Sequence, residues 1–355
     1  MDQRYKALPA SLLAWFRDNA RDLPWRQTKD PYAIWVSEIM LQQTRADVVK
    51  PYYQRFLKRF PNVKKLSAAR LDTVLKLWEG LGYYGRARNL HSAARAIVRD
   101  FGGTFPRTKR DLLTLPGVGP YTAGAIASIA FDLNEPVVDA NVARVLCRVF
   151  RIRQNPTTGE VQRRLWTLAE ELLPSGAAGD FNQALMELGA IICLPRNPRC
   201  GVCPLRRFCG AKEHNEQDKI PRRAVSRQLP HHTVVTAVIY NRGRILIDQR
   251  KPNGLLGGLW EFPGGKRKGR ESLETALHRE IGEELGVKIH VVRRLATVHH
   301  AYSHFTVTLH AFQCQRVSGE PRCFSCTQCK WVYPKDLKNY AFPSANKKII
   351  AALQR

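Results

Sequence analysis

From about residue 8 to residue 211 the apolar positions recur at three- and four-residue intervals, punctuated by Gly and Pro, which predicts a run of packed helices. The opening stretch MDQRYKALPASLLAWFRDNA has the pattern of an amphipathic helix. Asp30 ahead of Pro31 reads as an N-cap with proline in the first turn. The helix it starts, PYAIWVSEIML, carries only Ser37 and Glu38 as polar residues. Periodicity is lost between Lys212 and His231, a polar and charged stretch that predicts an interdomain linker. From His232 the pattern changes to strands. HTVVTAVIY and RILIDQR flank Asn241-Arg242-Gly243 and predict a hairpin, and VVRRLATV, HFTVTLHAF and KWVY predict further strands. A helix is expected from about Ser272 to Leu285. The expected architecture is a mostly α region over 1–211, a linker over 212–231 and an α+β domain over 232–355.

The chain's 355 residues suffice for two domains with separate cores, and its 44% apolar content argues against disorder. Lys and Arg number 57 against 30 Asp and Glu, a formal charge of +27. Folding needs no such excess, so it points to a polyanionic partner, and nucleic acid is the expected one. No apolar run approaches the length that spans a bilayer, and the N-terminus lacks a signal-peptide core or an Arg/Ser-rich transit pattern. A cytoplasmic protein acting on DNA is expected.

Candidate chemistry gathers in the helical region. Cys193, Cys200, Cys203 and Cys209 have spacing C-x6-C-x2-C-x5-C. Thiols this dense suit an iron–sulfur cluster or structural zinc better than disulfides. Arg196, Arg199, Arg206 and Arg207 lie between them, so a metal would rigidify a loop able to meet phosphates. LPGVGPYTAG (115–124) has the form of a helix-hairpin-helix turn. In it Gly117 and Gly119 allow close approach of a phosphate to the backbone, and the next helix offers its N-terminus; a packing-only turn has the same look. In PVVDANVARVL, Asp139 is placed as an N-cap, and a helix N-terminus should depress its pKa. Glu38, on its apolar helix, should instead hold its proton to higher pH. Two carboxyls pushed apart in this way are an acid and an anion stabiliser, the pairing that glycosidic cleavage uses.

Residues 1–211 resemble the helix-hairpin-helix DNA glycosylase superfamily with an iron–sulfur loop, and within it the MutY adenine glycosylase family. The matching segments are LPWR (23–26), WVSEIMLQQT (35–44), EGLGYYGRARNLH (79–91), LPGVGPYTAGAI (115–126), VVDANVARV (137–145) and the cysteine loop. Bifunctional members carry a Schiff-base lysine just after the hairpin, where this chain has Tyr121, so a monofunctional enzyme is implied. The resemblance implies hydrolysis of adenine mispaired with 8-oxoguanine or guanine in double-stranded DNA, after the base is flipped out. In that scheme Glu38 protonates adenine's imidazole nitrogen, Asp139 stabilises the oxocarbenium-like sugar, and Tyr121 and Asn141 support them. Trp25, Arg26 and Gln183 match the adenine pocket, and Gln43 and Tyr83 match residues entering the duplex. The four loop cysteines would hold one [4Fe-4S] cluster, and a monomer is expected.

In the C-terminal region, Gly265, Glu271 and Arg279-Glu280-Ile281-Gly282-Glu283-Glu284-Leu285-Gly286-Val287 match the Nudix box at every fixed position. Glu280, Glu283 and Glu284 would share one helix face and could hold Mg²⁺ against a diphosphate if the box is active. Two readings stay open: a module that reads 8-oxoguanine, or one that also hydrolyses a nucleotide such as 8-oxo-dGTP. Tyr302, Ser303 and His304 resemble the family's lesion-reading F-S-H loop, with Tyr in place of Phe. Cys314, Cys323, Cys326 and Cys329 include a C-x2-C-x2-C tract. That tract resembles a metal-binding one, but three-residue steps along a strand alternate faces, so free thiols are expected there, with a second metal as the alternative. Rival functions are a glycosylase acting on another base, a nucleotide pyrophosphatase with a DNA-binding domain, and a non-enzymatic DNA-binding scaffold.

Overall fold

The computed structural model describes residues 2–222, 228–302 and 305–353. The chain divides into two compact units. One comprises Met1–Ala68 with Ser92–Ser226, the other Ala69–His91 with Arg227–Arg355.

The helices up to the cysteine loop are α1 (Leu8–Asn19), α2 (Pro31–Leu41), α3 (Ala46–Arg59), α4 (Val63–Ser67), α5 (Leu71–Trp78), α6 (Gly85–Asp100), α7 (Lys109–Leu112), α8 (Pro120–Phe131), α9 (Ala140–Val149), α10 (Gly159–Glu171) and α11 (Ala178–Ile191), with α12 (Gly210–Glu213) just after it. Of these, α5 and the start of α6 belong to the second unit. Asp30 caps α2 by accepting from the Tyr32 amide at 3.1 Å, with Pro31 in the first turn. Every residue of α2 from Tyr32 to Met40 is buried, so this helix is enclosed on all sides. α8 is almost as deeply sunk, with Thr122 to Ile129 buried. The core of the first unit joins Leu12 and Phe16 of α1, Ile129 of α8, Val145 and Leu146 of α9, Leu165 of α10, and Phe181 and Leu185 of α11. At about 1.5–3 kcal/mol for each such side chain, this cluster dominates the unit's stability. Leu205, Phe208 and Ile220 join the same core, anchoring both the cysteine loop and the start of the segment that follows.

The second unit is built on a six-stranded sheet of β1 (His231–Asn241), β2 (Arg244–Arg250), β3 (Trp260–Glu261), β4 (Lys288–Ala301), β5 (Thr306–Ser318) and β6 (Cys326–Val332). Its order is β3-β2-β1-β5-β4, with β6 also paired to β2. β1 runs parallel to β5; the other pairings are antiparallel. The hairpin predicted at Arg242-Gly243 is present, with φ of 47° and 73° at the two turn residues, as a type I′ turn requires. Strand β1 is buried on both faces. Val235, Ala237 and Ile239 pack under α13 (Leu273–Leu285), and Val238 packs on the side of α14 (Ser344–Leu353). Ser272 caps α13 and Gly286 ends it in the left-handed conformation.

Candidate active site

Two helix beginnings, those of α8 and α9, and the enclosed helix α2 assemble the centre of the first unit. Glu38 sits on α2 with 4% of its surface exposed. Tyr121, in the first turn of α8, donates its hydroxyl to Glu38 Oε2 at 2.5 Å and lies 3.1 Å from the Met186 sulfur of α11. Burial pushes the Glu38 carboxyl up to about 7; the negative charge of Asp139 adds to this, while the Tyr121 hydroxyl and Arg26 pull the other way. Glu38 and Asp139 are thus close enough to feel one another.

Asp139 caps α9, accepting from the Val142 amide at 2.7 Å and from Asn141 Nδ2 at 3.1 Å. The sequence predicts a carboxyl depressed by the helix end. The structure corrects this: burial raises the Asp139 carboxyl, and its hydrogen bonds and Arg144 offset only part of that cost. The asymmetry between the two groups survives, because Asp139 has several partners that favour its anion and Glu38 has few. Arg144 braces the cap, donating to Asn141 Oδ1 at 2.9 Å, the Gly189 carbonyl at 2.7 Å and the Cys193 carbonyl at 2.8 Å. A cavity of about 390 Å³ opens beside Asp139, walled by Ala143, Arg144, Arg148, Gln162 and Pro221 among others; Glu38 is not in its wall.

Trp25 is buried edge-on against Tyr53, ring centres 5.4 Å apart. Arg26 donates to Glu187 Oε2 at 2.8 Å. Gln183 is half-buried on α11, one turn before Met186 and so on the same face. Gln43 and Tyr83 are both exposed non-glycine residues with positive φ, 56° and 47°, a strained conformation that collects at functional sites. Gly117 has φ of 75°, and a Cβ at Gly119 would meet nothing within 4 Å, so the backbone of the hairpin is open to a phosphate. Sequence reasoning missed Glu187. Buried on α11, it accepts from Arg21 Nε and Nη2 at 2.7 Å as well as from Arg26. It stays at about 2, the two arginines outweighing burial. Its signal was available: like Glu38, it is a lone acid in an apolar helical stretch, ALMELGAI.

Cys193, Cys200, Cys203 and Cys209 stand near enough to repel one another as thiolates, and burial raises Cys200, Cys203 and Cys209, Cys203 to about 12. Arg148 Nη1 donates to Cys193 Sγ at 3.3 Å. Four thiols that would bind iron as thiolates make a net negative assembly with their cluster, and the buried Arg148 beside Cys193 suits that charge. Among the described residues, no three His, Cys, Asp or Glu side chains surround one point as ligands of a single ion.

A family model for "HhH-GPD superfamily base excision DNA repair protein" matches residues 36–171, "Iron-sulfur binding domain of endonuclease III" matches 193–209, and "NUDIX domain" matches 234–352. Adenine DNA glycosylase of Homo sapiens is 36% identical over 98% of this chain and 74% of its own length. Adenine DNA glycosylase of Buchnera aphidicola from Acyrthosiphon pisum is 35% identical over 83% of this chain and 82% of its own. The chain belongs to the adenine DNA glycosylase family. Among solved structures, a thermostable thymine-DNA glycosylase matches with a TM-score of 0.55 and 35% identity, covering 60% of this chain and 98% of that one. An endonuclease III–DNA complex, at 22% identity and a TM-score of 0.52, shares the fold. This adenine DNA glycosylase family member is therefore a base excision repair enzyme with an iron–sulfur loop at Cys193–Cys209 and a Nudix domain later in the sequence. Among the described residues no helix is long and apolar enough to cross a membrane.

In the Nudix domain of this family member, Arg279 gathers three of the box glutamates, and Glu284 lies close enough to Glu280 to feel its charge. Arg279 binds Glu271 at 2.7 Å, Glu280 at 2.6 Å and Glu283 at 3.2 Å, while Glu284 accepts from the Gly264 amide at 3.2 Å. Tyr302 stacks on Phe305, ring centres 4.7 Å apart. Ser303 and His304 lie outside the described residues.

Proposed function

We propose that this protein removes adenine mispaired with 8-oxoguanine or guanine from double-stranded DNA, as a monomeric, monofunctional glycosylase. The observation that carries the reading is a buried carboxyl, Glu38, held up to about 7 beside a second carboxyl, Asp139, that is rich in anion-stabilising partners. The flipped adenine accepts a proton from Glu38 at its imidazole nitrogen, which makes the base a neutral leaving group. The C1′–N9 bond then breaks, and the ionised Asp139 stabilises the positive charge left on the sugar until water adds at C1′ and gives up a proton, which restores the acid form of Glu38. Asn141 holds Asp139, Tyr121 holds Glu38, and Arg26, Trp25 and Gln183 line the adenine. With Tyr121 after the hairpin, there is no lysine at that position to form a Schiff base, so the abasic strand is left intact.

Gln43, Tyr83, Gly117 and Gly119 contact the duplex, and Tyr302 with Ser303 and His304 reads the oxidised purine. Cys193, Cys200, Cys203 and Cys209 would hold a [4Fe-4S] cluster, whose contribution when bound is to fix the arginines of its loop. The test is single-turnover base release from duplexes containing 8-oxoguanine·A, G·A and G·T. The reading expects adenine release in the first two, strand cleavage only after alkali, and loss of release in Glu38→Gln. Preferential thymine release, the activity named for the structural neighbour at 35% identity, would replace it.

A further inference from the structure

In the second unit, Cys326 and Cys329 of the C-x2-C-x2-C tract share one face of the sheet. Strand β6 pairs with β2 so that Asp248 faces Cys329 and Arg250 faces Cys326, with the register slipping by one residue between them. Asp248 and Arg250 are two apart and share a face of β2, and directly opposed residues share a face across a ladder. The bulge therefore puts Cys326 and Cys329 on the same face although they are three apart, which a regular strand forbids. Cys323, in the preceding loop, lies within hydrogen-bonding reach of both thiols. Its position is fixed on either side: the Arg322 amide donates to the Leu285 carbonyl at 3.0 Å and the Phe324 amide to the Glu284 carbonyl at 3.1 Å.

The fourth side of the cluster is Asp248. It is 4% exposed, its Oδ1 has no hydrogen-bond partner, and it is close enough to Cys323, Cys326 and Cys329 to couple with each electrostatically. Its neighbour Glu261 is already satisfied, with both oxygens 2.7 Å from Arg250 Nη1. A buried carboxyl oxygen without a donor, on the same sheet face as Cys326 and Cys329, leaves a polar group open to a further partner.

We propose that Cys323, Cys326, Cys329 and Asp248 form a binding site for a thiophilic divalent cation, zinc by the chemistry of its donors. Three sulfurs and one oxygen match the four-coordinate preference of zinc, and they disfavour magnesium, which takes oxygen ligands alone. Among the described residues no three such groups surround one point, and the Cys329 thiol reaches the Pro321 carbonyl at 3.8 Å, so the ion binds by displacing the thiol protons to solvent and drawing the sulfurs around itself. Bound there, it ties the loop at 321–325 to the sheet edge beneath the end of α13.

The test uses the full-length protein with its iron retained. Zinc and iron are quantified per chain, and Co²⁺ is titrated into zinc-depleted protein while thiolate-to-cobalt absorption is followed. One zinc per chain and a cobalt–thiolate spectrum are expected. Cys323→Ser, at an exposed loop position, should weaken zinc binding by at least about tenfold, since even a second-shell partner is worth that much, with iron content and adenine release unchanged. Asp248→Asn supplies an independent ligand loss. Zinc or cobalt binding unaltered in both variants would overturn the site, as would metal-free protein in which Cys323 is recovered as a disulfide to Cys326 or Cys329.

Discussion

A carboxylic acid that must deliver a proton at neutral pH has to be kept from ionising, and Glu38 is kept so mainly by the absence of water around α2. Its role as proton donor makes the rate depend on the protonated fraction, so adenine release should fall about tenfold per pH unit once pH rises past about 7. Single-turnover rates across pH check this. Tyr121 donates to the carboxylate and so favours the ionised form. Tyr121→Phe should therefore move that alkaline limb to higher pH, and a limb that stays or moves down would show that Glu38 is not the titrating group. Glu38→Gln should cost about 10²–10⁴-fold in rate, yet stabilise the fold. Because the folded-state value lies above the ordinary 4.5, the native protein binds more protons than the unfolded chain between about 4.5 and 7. Stability is lost as pH rises through that window. The glutamine variant escapes this loss, so thermal melts should favour it at pH 8, by up to about 3 kcal/mol, and the gap should close near pH 4. Glu38 was legible as the one acid in an otherwise apolar helix. Whether it met Asp139 was not, since they lie on separate helices whose approach depends on packing.

At the scale of elements, the site depends on how closely α11 can approach α9. Gly189 allows that approach: a Cβ there would lie 2.6 Å from Asn141 Cβ and 3.1 Å from its Cα. Helix propensity alone would make Gly189→Ala stabilising by about 1 kcal/mol. The clash is with backbone of the helix that carries Asp139 and Asn141, so overpacking should win, for a net loss of about 1–3 kcal/mol. Denaturant midpoints check the stability, and adenine release should fall alongside, because the cap at Asp139 must shift. A variant more stable than the parent would mean that α11 has room to spare. Caps and turns were what the sequence disclosed best at this scale: Asp30-Pro31, Asp139, Ser272 and Arg242-Gly243 each sit where local chemistry puts them. The bulge opposite Gln249 and Arg250 was not legible. Nothing in Cys326 to Cys329 marks an extra residue, and without it the three-residue spacing sends the thiols to opposite faces.

For the whole molecule, hydrophobic periodicity suggests two consecutive blocks, 1–211 and 232–355, whereas residues 69–91 group with the second compact unit. The contacts responsible span long sequence separations. Gln249 donates to Asp72 at 2.7 Å, Lys76 to the Tyr340 carbonyl at 2.9 Å, the Phe342 amide to Glu79 at 2.9 Å, and Arg88 to the Gly257 carbonyl at 2.7 Å. None leaves a trace in local pattern, because α5 reads as an ordinary amphipathic helix whatever covers it. A chain ending at Arg222 would keep α5 but remove every one of these partners. At about 1 kcal/mol for each such bond, residues 71–90 should lose several kcal/mol of protection against amide exchange, while 31–41 and 120–131 keep theirs. Tyr83 lies in the loosened segment, so the truncated protein should also bind duplex DNA more weakly even where the purine opposite adenine is an ordinary guanine. Hydrogen exchange and a binding titration on a G·A duplex separate this from simple loss of 8-oxoguanine reading, which would leave both the 71–90 amides and the G·A affinity as they are in the full chain.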